Sequence, residues 1–314
     1  IYIIITQYEL IINLLKKIIM TEKKLFMQEN DKILDEWKDS FKKKGGVESN
    51  FSLDGIMFQG NIEKKYPDSK LYWRNPSDDQ YSKENKAWDS CPIRFLYLTK
   101  DQNGGKEDEN GGTWDAREET YCDPKSEGED YRVWKQYKFN KMIAYTFRGL
   151  VYATEGKFMP LEDVIADQKS CINIFESYPL ARINCKKERG YSSCPNDILH
   201  DHMKKYKNYL SRQINNLDAD VFICCEHHDN DKPLFGTKSY GNIFIEFLND
   251  NGYNFEWKNS DIWENGIWID NIRKKIAIDT YHLSYRMYAD QLLYDDIVKC
   301  FYSFIKENPN FFEK

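Results

Sequence analysis

The amino-acid sequence predicts an α/β protein, a three-layer α/β/α sandwich whose central sheet has four parallel strands. Three observations carry this expectation. Four short, near-continuous apolar runs occur in turn: "IRFLYL" (93–98), "LARIN" (180–184), "DVFICC" (220–225) and "KIAIDTYH" (275–282). Strands that lack polar alternation are buried on both faces, and the segments between these runs have helical spacing and enough length to cross back over a sheet. The chain of 314 residues is 41% hydrophobic and 15% aromatic, which is enough apolar material for a sizeable core.

The elements follow in order. The opening "IYIIITQYELIINLLKKII" is interrupted by Gln7, Glu9, Asn13 and the Lys16-Lys17 pair, before the roughly 20 apolar residues of a membrane span can accumulate. Residues 1–19 are therefore expected to be peripheral: either upstream sequence translated ahead of a start at Met20, or an amphipathic helix lying on the domain. The remainder, 20–314, reads as one domain with an N-terminal helical extension and an acidic loop at 101–130. Residues 30–43 carry Ile33, Leu34, Trp37 and Phe41 at helical spacing and stop at Gly45-Gly46. Residues 47–92 have turn punctuation and no sustained period. Further helices are expected over 131–150, over 197–217 on Leu199, Met203, Tyr206, Leu210, Ile214 and Leu217, over 239–250, and over 287–306 on Leu293, Ile297, Phe301, Phe304 and Ile305. No phosphate-binding glycine motif follows the first strand, which disfavours a P-loop or dinucleotide fold.

Charge and cysteines exclude several classes. Forty-five basic residues against 51 acidic ones give a formal −6, so no global attraction draws a polyanion. The eight cysteines form no CxxC pair and lack the dense spacing of a secreted disulfide scaffold, so they read as reduced thiols of a cytoplasmic protein. "HDH" (200–202) and "CCEHHD" (224–229) invite a metal reading. Histidines two apart on a helix diverge, and adjacent cysteines on a strand face opposite ways, so no metal or other cofactor is expected. His227, His228 and Glu226 are instead expected to line a pocket or face solvent.

In an open parallel sheet, ligands sit beyond the carboxyl ends of the strands. The residues to examine are thus Lys100 to Asn103, Asn184 to Lys187, Glu226 to Asp229 and Tyr281 to Arg286. As a set they resemble the uracil-DNA glycosylase superfamily over roughly residues 90–306. "TKDQN" lies where that superfamily has its first-strand motif, Asn184 of "RINCKK" lies at its second-strand Asn, and His282-Leu283-Ser284 lies at its His-Pro-Ser motif. "YKNYLSRQINNLDADVFICC" is similar to its helix leading into the third strand. Lys100, Gln102 and Leu283 depart from the pattern, and the iron–sulfur cysteine spacing of some members is absent. The expected strand order is 2-1-3-4.

The resemblance implies a chemistry. Asp101 would stabilise the sugar cation and orient water, while His282 would donate a hydrogen bond to the departing base. Asn184 would read the edge of an extruded base. Lys100, Gln102, Asn103, Ser284 and Tyr285 would complete the substrate site, and Trp114 would stack on a base from the long loop. Leu283, Tyr285 and Met287 are candidate wedges, with Leu283 and Met287 alternatively core residues of the last helix. The lysine pairs Lys186-Lys187 and Lys204-Lys205 are possible phosphate contacts. The implied partner is DNA with an extruded base, or a nucleotide. The expected function is hydrolysis of the N-glycosidic bond of an unusual or modified base. The alternatives are a non-catalytic nucleic-acid or nucleotide binding module on the same sheet, and a hydrolase of free nucleosides or nucleotides. Loop 101–130 carries eleven acids against three bases and would repel a phosphate backbone lying over it.

Overall fold

The computed structural model describes residues 24–58, 62–64, 72–74, 77–101, 115–117, 138–190, 194–227, 234–236, 241–258 and 266–313. The expectation for residues 1–19 lies outside them, as does most of the acidic loop. Of that loop, residues 115–117 are anchored. Leu53 and Asp115 form a β-bridge, and buried Arg117 is held between the carboxylates of Asp115 and Asp31.

Helix α1 (Phe26–Lys43) buries Phe26, Met27, Ile33, Leu34, Trp37 and Phe41 along one stripe. It begins four residues before the sequence predicts, because the side chain of Asn85, remote in sequence, accepts the Met27 N–H at 3.0 Å. Its end is set by Gly45 at φ +88° and by Gly46, where a Cβ would stand 2.3 Å from the Phe41 ring. The stretch without a period holds a three-residue strand β1 (Gly55–Met57), a small hairpin of β2 (Ile62–Lys64) and β3 (Tyr72–Arg74), and α2 (Asp78–Asp89). Three-residue strands are too short to show alternation. Helix α2 hides its period because it buries Gln80, Glu84 and Asn85 beside Trp88.

The four apolar runs become β4 (Phe95–Thr99), β5 (Leu180–Asn184), β6 (Val221–Cys225) and β9 (Lys275–Thr280). Two further strands, β7 (Glu256–Trp257) and β8 (Ile267–Asp270), lie between β6 and β9 in sequence. The sheet corrects the expectation of four strands, all parallel: it is seven-stranded and mixed, in the order β1-β5-β4-β6-β9-β8-β7. Strand β4 runs parallel to both β5 and β6, and β6 runs parallel to β9. The outer strands β1, β8 and β7 pair antiparallel. The β8–β9 hairpin closes through Asp270, whose carboxylate accepts the backbone N–H groups of Ile272 and Arg273.

Helices cover both faces. Phe95, Tyr97, Ile223, Ile276 and Ile278 point to one side and pack with α3 (Lys138–Thr154), α4 (Leu161–Ala166), α5 (Gln168–Ser177), α9 (Asp290–Tyr294) and α10 (Cys300–Glu307). Leu96, Leu98, Ile183, Phe222 and Ala277 point to the other and pack with α1, α2, α6 (Asn196–Lys205), α7 (Lys207–Leu217) and α8 (Ile243–Asp250). Burying one such side chain is worth about 1.5–3 kcal/mol, so each face has its own substantial core. Two more of the expected helices differ from the sequence reading. The segment 197–217 breaks at Tyr206, whose ring is buried among Trp37, Phe41 and His202. The last helix starts at Asp290 and contains a π-helical turn, Asp295–Lys299. Among the described residues no helix is long and apolar enough to cross a membrane.

Candidate active site at the strand ends

The parallel register sets Thr99, the last residue of β4, beside Asn184, the last of β5. The Thr99 hydroxyl lies 2.8 Å from the Asn184 side-chain oxygen, and Arg182 Nη2 donates to the same oxygen at 3.2 Å. Arginine can only donate, so the amide is oriented with its carbonyl toward these two. The Asn184 backbone N–H is held by Asp54 at 2.7 Å. Asn184 is fully buried.

Arg182 connects this joint to the fourth strand end. Its guanidinium lies 4.7 Å from the centre of the Phe139 ring, and that ring stacks on His282 at 5.2 Å and 22°. The Ser284 N–H points to His282 Nδ1 at 3.3 Å, with Ser284 Oγ at 2.8 Å. An Nδ1 that accepts a backbone N–H carries no proton, so the ring proton sits on Nε2. Burial, with the charges of Lys100 and Arg182 nearby, pushes the His282 pKa down to about 4. His282 is therefore a neutral donor at physiological pH. Leu283, next in the chain, is buried in the core and takes no part in a wedge. Tyr285 is exposed and Met287 is 84% exposed. Lys138 fastens this loop to the start of α3 through the carbonyls of Tyr285 and Tyr288, each at 2.8 Å, and through Asp290.

Asp101 follows β4. Its carboxylate receives Lys186 Nζ at 3.0 Å, while Lys186 also donates to the Glu188 carbonyl. Burial raises the Asp101 pKa, and Lys186 opposes that rise with its charge and its hydrogen bond. Gly190 closes over the carboxylate so tightly that a Cβ there would stand 1.8 Å from Asp101 Oδ2. Lys100 turns the other way and meets Glu226 of the third strand end at 2.5 Å, donating also to the Cys194 carbonyl at 3.1 Å. Its charge acts on both Asp101 and His282. Burial raises the Glu226 carboxyl pKa against the pull of Lys100.

Lys100, Asp101, Asn184, His282 and Ser284 are thus set at the carboxyl end of the parallel strands. Gln102, Asn103 and Trp114 lie outside the described residues. Lys186 and Lys187, read from sequence as phosphate contacts, face inward instead. Lys186 serves Asp101, and Lys187 is wholly buried on Asp54. Sequence reasoning missed Arg182, Phe139 and a chain on the β6 side. There, His227 Nδ1 lies 2.7 Å from Asp279, which accepts Asn242 Nδ2 at 2.6 Å on its other oxygen. Arg182 is hidden inside a strand and Phe139 near a helix start, so only their charge and aromaticity were visible. Asp279 had a signal, being an acid within an apolar run. Among the described residues no group of three or more His, Cys, Asp or Glu is disposed to hold a metal. Comparison of the chain with family models, curated proteins and solved structures finds no match.

Proposed function

We propose that the protein hydrolyses the N-glycosidic bond of an unusual or modified base in DNA. The observation that carries this reading is His282, a neutral side chain whose Nε2–H is fixed by the Ser284 contact at a parallel strand end. Breaking the base–sugar bond builds negative charge on the departing base and positive charge on the sugar. A neutral imidazole can donate to the first without a proton having to be placed there beforehand. Asp101, paired with Lys186, supplies an anion for the second and orients water. Asn184, with its carbonyl engaged by Thr99 and Arg182, acts toward the base edge as a donor. The parallel strands, taken in chain order, lie as 2-1-3-4, which supports the resemblance on which these roles rest.

The test is release of free base from oligonucleotides carrying uracil, hypoxanthine or hydroxymethylated bases, single- and double-stranded. With a responsive substrate, Asp101→Asn is expected to keep binding and lower the single-turnover rate by roughly 10²–10⁴. His282→Ala is expected to slow the same step. Tight binding without release of any base would sink the hydrolytic reading and favour a binding module. Full activity in Asp101→Asn would remove Asp101 from the chemistry.

A further inference from the structure

We propose that the same strand ends carry a second activity, in which the Lys100 amine forms an imine with the C1′ aldehyde of an abasic deoxyribose and the DNA strand is cut by β-elimination. This rests on the reading of the site as one that handles the base–sugar bond.

Three lysines stand at the strand ends, and the structure separates them. The Lys187 side chain is 0% exposed and locked on Asp54; Lys186 is 8% exposed and engaged by Asp101 and the Glu188 carbonyl. The Lys100 side chain is 19% exposed, the most open of the three, and its amine is held by Glu226 and the Cys194 carbonyl. It is also within electrostatic reach of both Asp101 and His282, the two groups assigned to the sugar and the base. An amine must lose a proton before it can attack a carbonyl carbon. Glu226 lies 2.5 Å away to take it. One Glu226 oxygen holds the ammonium, and the other, buried, has no hydrogen-bond partner among the described residues. A buried carboxylate oxygen with no donor is costly to maintain, and a role in proton transfer accounts for its retention. The raised Glu226 carboxyl pKa accords with that use.

The steps balance without an oxidant or metal. Glu226 takes a proton from the Lys100 ammonium, and the free amine adds to C1′ to give a carbinolamine. Glu226 returns the proton to the hydroxyl, which leaves as water while the iminium forms. Glu226, again anionic, removes a C2′ proton. The electron pair moves through the enamine to break the C3′–O bond, and the 3′ phosphate departs. Water then hydrolyses the unsaturated imine and frees Lys100.

The experiment uses the full chain and an oligonucleotide carrying a preformed abasic site, which needs no knowledge of the natural base. Sodium borohydride would reduce the imine to a stable secondary amine, giving a covalent protein–DNA product whose attachment mass spectrometry should map to Lys100. A tetrahydrofuran analogue, which has no aldehyde, should give none. Lys100→Arg keeps the charge but cannot form the imine, and is expected to lower trapping at least about tenfold. Glu226→Gln should slow trapping, whereas Lys83→Arg on the exposed face of α2 should leave it unchanged. Absence of a trapped product from the wild-type protein, undiminished trapping in Lys100→Arg, or attachment at another lysine would overturn the proposal. The mapping on wild-type protein decides the matter even if a variant folds poorly. Base release without trapping would remove only this second activity, while trapping without base release would leave it standing and remove the first.

Discussion

At the scale of single residues, the site works by setting charges against burial. Asp101 lies close to Lys186, and opposed influences fix its proton affinity: burial lifts it, while the Lys186 ammonium, with smaller help from Cys194 and Lys100, lowers it. Replacing Lys186 with Met removes the largest lowering influence and leaves the burial. The carboxylate then protonates at higher pH, and the acidic limb of the pH profile for the proposed base release should shift upward. His282 runs the other way: burial pushes its pKa down to about 4, so it is neutral at physiological pH and gains a proton only toward the acid end of the range. Single-turnover rates of wild-type and Lys186→Met protein between pH 4 and pH 9 would check this, and an unmoved limb would detach Asp101 from the rate. The residues behind this scheme were partly legible in the sequence. Asp101, Asn184 and His282 each follow an apolar run, where a polar residue stands out. Arg182 and Phe139 were not legible, because their meaning is a stack across two elements that only the packed sheet brings together.

At the scale of elements, length decided what could be read. The parallel strands of five or six residues are continuous apolar runs, and each was found. Strands of two or three residues, such as β1 and β7, present no pattern, and α2 conceals its buried face with polar side chains. The start of α1 depends on Asn85 and the break at Tyr206 on an aromatic cluster, both tertiary effects. Packing between elements gives a sharp prediction at Gly149 of α3. A Cβ there would stand 2.3 Å from the Tyr294 hydroxyl oxygen and 2.7 Å from Val298, on α9 and the π-helical turn. Gly149→Ala would gain in helix propensity, yet the overpacking should outweigh that gain and destabilise the fold by about 1–3 kcal/mol. Denaturant unfolding would measure it, and a stabilised variant would show that α3 and the π-helical turn can move apart freely.

At the scale of the molecule, one buried ion pair joins distant parts of the chain. Both oxygens of Asp54 contact Lys187, one also receives Gln213 of α7 and the other the Asn184 N–H, while Asn30 of α1 donates to the Asp54 carbonyl. Burial lowers the Lys187 pKa, with Asp54 opposing. Lys187→Met leaves Asp54 as an uncompensated buried charge and should cost about 3–5 kcal/mol in unfolding free energy. The double variant with Asp54→Asn should recover part of that loss, and a mild effect of the single change would mean that the pair contributes little. The two margins of the sheet have a different consequence. A margin is a row of unpaired amides and carbonyls able to recruit a strand from another chain, and a long flat one invites ordered aggregation. Here the outermost described strands are β1, with three residues, and β7, with two, both antiparallel to their neighbours. The long apolar strands that would assemble most readily are enclosed between them. Protection of this chain against fibril-like self-association thus resides in its shortest strands, which offer a foreign strand almost no length to extend.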